Sequence, residues 1–293
     1  VADLPSAPAA FGDRLTAAFD RFGQLCVGID PHSWLLQEWG LPDSAAGVRE
    51  FGLRVVEASA GRAGIVKPQV AFFERHGSAG FAALEAVLSA ARAAGLLVIA
   101  DAKRGDLGTS VEAYGQAWLS PGSPLECDAM TLSAYMGVGS IEAPMRLAGS
   151  AGKGLFVLAA TSNPEAFELQ SATISSGSHS DRSVAASIVG DVVSWNRLHS
   201  SGVSGSIGVV LGATVDFGAF GIETDELAGT PSTPVLAPGF GHQGAKYSDL
   251  VSLYGAAAPH AVVSASRSIL QAGPAGIADA ITAQAREVFE CRA

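Results

Sequence analysis

The segment Leu96-Leu97-Val98-Ile99-Ala100-Asp101-Ala102-Lys103-Arg104-Gly105-Asp106 runs five apolar residues straight into a carboxylate, an ammonium and a second carboxylate. In an extended strand successive side chains alternate faces, so Asp101 and Lys103 project to the same side. That side already carries the strand into a buried layer. Opposite charges held at the mouth of a core face a large desolvation cost, and catalytic sites are where such an arrangement is most often tolerated. The chemistry such a cluster offers is electrostatic. A structural ion pair at a strand end stays open on these eleven residues alone.

Polar groups recur where other apolar runs end. Asp30 closes Leu25–Asp30, Lys67 precedes Pro68, and Asp106 lies in the loop after Lys103. Thr161-Ser162-Asn163 closes another run. The last two runs lead into Gly239-Phe240-Gly241-His242-Gln243-Gly244 and Ser266-Arg267-Ser268. A glycine-rich turn leaves backbone N–H groups free to point at an anion, and Arg267 opens a short helix whose N-terminus and guanidinium suit a phosphate. A plain turn is the competing reading of the glycines alone. His32, His76, His179, His199 and His260 show no metal-ligand spacing and read as surface or helix-end residues, while His242 sits in the phosphate loop. No metal site is expected.

These groups need a frame that gathers strand ends. Candidate strands are Leu25–Asp30, Gly64–Phe72, Leu96–Lys103, Asp128–Ala134, Gly154–Thr161, Ile207–Thr214, Pro234–Gly239 and Ala261–Ser266. Helical stripes lie between them. Ser78 N-caps a helix with Phe81, Leu84, Leu88 and Ala91 on one face, closed by Gly95. Val184, Ile188, Val192 and Trp195 make a second stripe, and Ala278, Ile281, Ala285 and Val288 a third. Eight alternating units predict an α/β fold, a (β/α)8 TIM barrel forming a single domain over 1–293. An open doubly wound sheet is the alternative. In such a barrel the strand C-termini build the site, with the loops after strands seven and eight as the phosphate site. Residues 1–22 read as an N-terminal helical extension, with Phe11, Leu15, Ala18 and Phe22 covering the barrel bottom. The serine-rich stretch 171–181 reads as a flexible, solvated loop without chemistry.

The chain has 293 residues, 48% hydrophobic and 16% charged, so a sizeable core is easily supplied. A net charge of −10 argues against non-specific nucleic-acid binding, without excluding a local basic pocket for a small anion. Cys26, Cys127 and Cys291 are too few and scattered for a disulfide framework or zinc site. No basic region followed by an apolar core marks a signal peptide, and no run of 18 apolar residues marks a membrane span. A soluble, cytoplasmic protein without membrane partners is expected.

The Asp-x-Lys-x-x-Asp pattern at Asp101, Lys103 and Asp106 resembles the catalytic signature of the orotidine 5′-phosphate decarboxylase family. The likeness extends over nearly the whole chain. Val27-Gly28-Ile29-Asp30-Pro31 resembles the family's first-strand motif, and Val66-Lys67-Pro68-Gln69 its second-strand lysine segment. Leu236 to Gly244 and Ser266-Arg267-Ser268 resemble its phosphate loops. Thr161-Ser162-Asn163-Pro164 and Lys103-Arg104-Gly105-Asp106 are closer to the longer bacterial branch than to the compact one.

The resemblance implies loss of CO₂ from orotidine 5′-phosphate to give UMP in pyrimidine biosynthesis, by a cofactor-free carboxy-lyase. It assigns proton donation to Lys103, places Asp101 by the departing carboxylate, and draws Asp106 from the neighbouring subunit of a homodimer. Lys67 would hold a network Asp30–Lys67–Asp101–Lys103, with Asp30 touching the ribose. Ser162 would contact the pyrimidine, and Gln243 and Arg267, with Gly241 and Ser266 in the same loops, the phosphate. Ser110, four residues after Asp106, is a further ribose candidate. Sugar-phosphate decarboxylases and aldolases of the same superfamily share the short pattern but use magnesium and an acidic residue near strand two. Lys67 at that place disfavours a cation. A catalytically silent phosphate-ligand binder is the remaining reading, against which stands the cost of an unused charge cluster.

Overall fold

The computed structural model describes residues 8–292. Eight strands, β1 (Leu25–Ile29), β2 (Ile65–Pro68), β3 (Leu97–Arg104), β4 (Ala129–Leu132), β5 (Gly154–Ala160), β6 (Ile207–Leu211), β7 (Val235–Pro238) and β8 (Ala261–Ala265), pair in sequence order. All neighbours are parallel, and β8 returns to β1 with Val263 beside Leu25, closing the barrel. The fold is the expected TIM barrel, and the open sheet is excluded by this closure. Strands buried on both faces explain why the apolar runs are nearly continuous rather than alternating.

Side-chain parity decides what the barrel contains. Cys26, Ile65, Ile99, Ala129, Phe156, Val210, Leu236 and Val262 point inward and form one buried cluster. Two residues further along the same parity stand Lys67, Asp101, Thr131 and Ser264. The barrel is therefore apolar in its lower layers and polar in its top layer.

The helix Phe11–Phe22 stoppers the bottom, where Phe11, Leu15 and Phe19 join the inward cluster. Phe11 meets Phe156 edge-on at 6.0 Å. A Cβ on Gly154 would lie 2.3 Å from the Phe11 ring, so only glycine admits this approach. Arg14 pins the helix to Asp128 Oδ1 (2.6 Å) and to the Gly152 carbonyl (2.7 Å). The expected extension thus holds from residue 11, with Phe19 rather than Ala18 and Phe22 completing its buried face; residues 1–7 lie outside the described ones.

Several local expectations are corrected. The second strand stops at Pro68, and Val70–Glu74 is helical with Val70 and Phe73 buried. A short apolar run carries no period of its own, so strand and helix look alike there. The following helix starts at Gly77 with His76 before it, so Ser78 lies inside rather than at the cap; Gly95, at φ +75°, follows its end as expected. In the helix Val184–His199 the buried face is turned towards Ala185, Val189, Val192 and Asn196. Residues 171–181 are largely exposed, as expected of a solvated loop, and form the tip of a short hairpin. Thr173 bridges Ser183, the Ile174 N–H reaches the Arg182 carbonyl (2.9 Å), and His179 Nε2 stands 3.1 Å from Asp191 Oδ1.

Candidate active site

The C-terminal rim of the barrel surrounds a cavity of about 510 Å³. Asp30, Lys67, Asp101, Lys103, Ser162, Gln243, Ser266 and Arg267 all line it. Those eight sequence-predicted residues, drawn from six different strand ends, are brought together by closure of the barrel.

Asp101 is the hub. Its Oδ2 accepts from Lys67 Nζ at 3.0 Å, and its Oδ1 accepts from Lys103 Nζ at 2.6 Å and from the Thr131 hydroxyl at 2.9 Å. Lys67 and Asp101 are 6% and 9% exposed, so this exchange takes place away from bulk water. Burial alone would raise the Asp101 carboxyl, but Lys67 and Lys103 outweigh it and hold it well below the ordinary carboxylate range. Burial alone would likewise lower the Lys67 ammonium, but Asp101 and Asp30 hold it above its ordinary value. Both groups stay charged. Beneath them the Cys26 thiol, pushed up to about 12 by burial, remains protonated and unreactive.

The pair Asp101/Lys103 does not arise from plain strand alternation. The β3–β4 register shifts between Ala100 and Arg104, and Lys103 adopts φ +46°. A non-glycine residue in the left-handed region carries a conformational cost that its surroundings must offset, a pattern typical of functional sites. Here Thr131 of β4 offsets it by accepting the Lys103 backbone N–H at 2.9 Å. With its acceptor side engaged, the hydroxyl gives its own proton to Asp101, so every partner of that carboxylate is a donor. Sequence reasoning missed Thr131. The signal available was a hydroxyl at an inward position of an otherwise apolar strand.

Asp30 departs from the expected network. It lies in the cavity and within electrostatic range of Lys67, but makes no ion pair with it among the described residues. Its Oδ1 is buried without a hydrogen-bond partner among them. An orphaned buried acceptor is costly, and a ligand hydroxyl would satisfy it.

The anion end is also partly corrected. Gly239, Gly241 and Gly244 have φ of +118°, +71° and +110°, as a tight glycine turn demands. The Gly241 and Gly244 N–H groups are already bonded, to the Ala245 and Gly241 carbonyls. The helix Arg267–Leu270 is a single turn, too short for a substantial dipole. The side chains of Arg267 and Gln243 line the cavity at this end. Ser162 Oγ comes to 3.5 Å of Gln243 Oε1, so the β5 and β7 loops face each other across the cavity.

Asp106 and Ser110 are absent from the cavity of their own chain. Asp106 Oδ1 accepts the Leu107 N–H (2.8 Å), and Ser110 is exposed on the helix Gly108–Leu119. His32, expected at the surface or a helix end, precedes the helix Ser33–Glu38; it also lines the cavity and meets Phe72 edge-on at 4.4 Å. Burial, reinforced by Arg267 and Arg75 and opposed by Asp30, lowers its pKa. No group of three or more His, Cys, Asp or Glu among the described residues is arranged to hold a metal ion. No helix among them is long and apolar enough to cross a membrane.

Comparison with known proteins gives a consistent result. Residues 23–280 match the family described as Orotidine 5′-phosphate decarboxylase / HUMPS. The orotidine 5′-phosphate decarboxylase of Streptomyces coelicolor is 46% identical over 265 residues, covering 90% of this chain and 91% of its own. That of Salinispora arenicola is 44% identical over 284 residues, covering 97% and 98%. Among solved structures, OMP decarboxylase of Leishmania donovani superposes with a TM-score of 0.74 at 29% identity, covering 97% of this chain and 98% of its own. A Streptomyces avermitilis protein provisionally described as an orotidine 5′-phosphate decarboxylase gives 0.90 at 43% identity, covering 98% and 97%.

Proposed function

The chain belongs to the orotidine 5′-phosphate decarboxylase / HUMPS family, and from that we propose how its charged rim works. The enzyme is a carboxy-lyase that converts orotidine 5′-phosphate to UMP in pyrimidine biosynthesis. The observation that carries the mechanism is the buried Asp101 carboxylate held between two ammonium groups at 3.0 and 2.6 Å.

Breaking the C6–carboxylate bond releases CO₂ and leaves an electron pair in the plane of the pyrimidine ring. That pair gains no simple π delocalisation, so the protein lowers the barrier electrostatically. Slow uncatalysed reactions of this kind call for as much as ~10¹⁷-fold acceleration, or about 23 kcal/mol. Lys103 stabilises the C6 carbanion as an ammonium and then delivers the proton to C6, regaining one from solvent. Asp101 lies against the departing carboxylate and orients Lys103, while Lys67 and Thr131 keep Asp101 ionised and fixed. Asp30, with its orphaned oxygen, takes a ribose hydroxyl. Ser162 meets the pyrimidine edge, and Arg267 and Gln243, framed by Gly241 and Ser266, hold the phosphate. Energy gained at that remote phosphate closes the loops over the charged centre.

The reading includes a homodimer with shared sites. Neither Asp106 nor Ser110 lines the cavity of its own chain, which leaves both available to a neighbouring chain. It also includes a single working domain and a cytoplasmic location, suited to a phosphorylated substrate that does not cross membranes unaided.

The test is loss of orotidine 5′-phosphate absorbance with purified protein and EDTA. Full activity in chelator supports the reading. Activity abolished by chelator and restored by magnesium would instead favour the sugar-phosphate branch of the family, where a cation would occupy the place that the Lys67 ammonium holds here.

A further inference from the structure

Gln284, on the C-terminal helix Gly273–Glu290, reaches the two loops that follow β7 and β8. Its Oε1 accepts from the Tyr247 hydroxyl and from Ser268 Oγ (3.1 Å), and its Nε2 donates to the Ser268 carbonyl (3.1 Å). One amide thus joins two chain segments that have no backbone hydrogen bond to each other among the described residues. Ser268 follows Arg267 directly. Tyr247 stacks on Phe240 of the glycine turn at 5.7 Å and 22°. The contact is tightened where Gly241 meets Ser268, since a Cβ there would lie 2.8 Å from Ser268 Oγ. Tyr247 is 6% exposed, so its hydroxyl depends on Gln284 for a partner.

Resting on the phosphate reading above, we propose that Gln284 is a positioning residue for the phosphate grip. It locks the glycine turn against the Arg267 segment, so that both close on the anion as one body. It touches neither substrate nor reacting atoms. Its loss would leave Arg267 present but misplaced, and a displacement of about 1 Å costs up to ~10²-fold in rate.

The experiment compares orotidine 5′-phosphate with orotidine, which lacks the phosphate, in wild type, Gln284→Leu, Tyr247→Phe and Arg267→Ala. We expect Gln284→Leu to lower kcat/KM for the phosphorylated substrate about tenfold or more, chiefly through KM, with orotidine changed less than about threefold. Tyr247→Phe lowers it in the same direction, and the double variant is no worse than Gln284→Leu, because the residues act through one bond. Should Gln284→Leu fold poorly by thermal melting, the Tyr247→Phe comparison decides alone. An equal fall for both substrates, or no fall while Arg267→Ala erases the preference for phosphate, overturns the inference and leaves the phosphate reading intact. If Arg267→Ala itself leaves that preference unchanged, the phosphate reading fails and the inference with it.

Discussion

Lys103 reaches the Asp101 carboxylate at 2.6 Å from a backbone turned to φ +46°. In a flat strand the two side chains would stand parallel, about two residue rises apart. The bulge before Arg104 brings the ammonium back over the carboxylate, and Thr131 of the neighbouring strand holds the bulge in place. The charge pair and the strained backbone are one device, and three of the expectations below depend on it.

Lys103→Ala should abolish decarboxylation while leaving UMP binding largely intact. The lysine side chain is half exposed in the cavity, so its truncation leaves no buried void. Turnover and calorimetric UMP binding measure the two effects separately. A variant keeping more than a few per cent of wild-type kcat would remove Lys103 from the role of proton donor.

Thr131→Val keeps the shape and removes the hydroxyl. The Lys103 N–H then loses its acceptor and Asp101 loses a donor, each a costly deficit in a buried place. We expect kcat to fall roughly 10- to 100-fold, about 1.4 to 2.8 kcal/mol, with KM little changed. Thr131→Ser, which restores the hydroxyl, should recover most of the rate. Equal losses in both variants would reduce Thr131 to a packing residue.

Mixing inactive Lys103→Ala chains with inactive Asp106→Ala chains should restore activity. In a mixed dimer one site collects both substitutions and the other neither. Random reassortment makes half the dimers mixed, so about one quarter of wild-type sites return. Two distinguishable tags establish that subunits exchange. Exchange without recovered activity would mean that Asp106 does not complete a neighbour's site.

The Lys67–Asp101 pair should also leave a pH signature in stability. Asp101, lowered from 3.8, contributes fully above that value, and its contribution is lost as pH falls towards its depressed folded value. Lys67, raised from 10.5, contributes fully below that value, and its contribution is lost as pH rises through its higher folded value. A double-mutant cycle of Lys67→Met and Asp101→Asn in urea should therefore give a flat coupling energy between about pH 4 and 10, decreasing at both ends. Breaking such a buried pair on one side alone costs about 3–5 kcal/mol. A coupling that instead grows on acidification would contradict the assigned charges.

Much of this arrangement is written locally in the chain. The period-two parity of Ile65/Lys67 and Ile99/Asp101 places each charge one layer above an apolar inward residue, and that parity is a property of the strand itself. The regular succession of strand and helix likewise predicts the barrel, because each element must bury a face against its neighbours. Where the pattern is short it says less, as at Val70–Glu74, whose buried Val70 and Phe73 suit a helix turn while the run reads equally as strand. The serine-rich hairpin was illegible for a related reason, since its order comes from pairing Thr173 with Ser183 and from Asp191 on another element.

Other features depend on distances that no local pattern contains. The hydrogen bonds from Lys103 to Thr131 and from Thr131 to Asp101 span 28 and 30 residues, and the link from Tyr247 to Gln284 spans 37. The place of His32 in the cavity wall, the unpartnered Asp30 oxygen and the absence of Asp106 from that wall arise in the same way. The sequence by itself determined which residues carry charge and which face of each strand they occupy, because side-chain alternation is set within a few bonds. Tertiary structure alone decided which of them meet and which stay apart, because barrel closure and strand stagger set the separations over which charges and hydrogen bonds act.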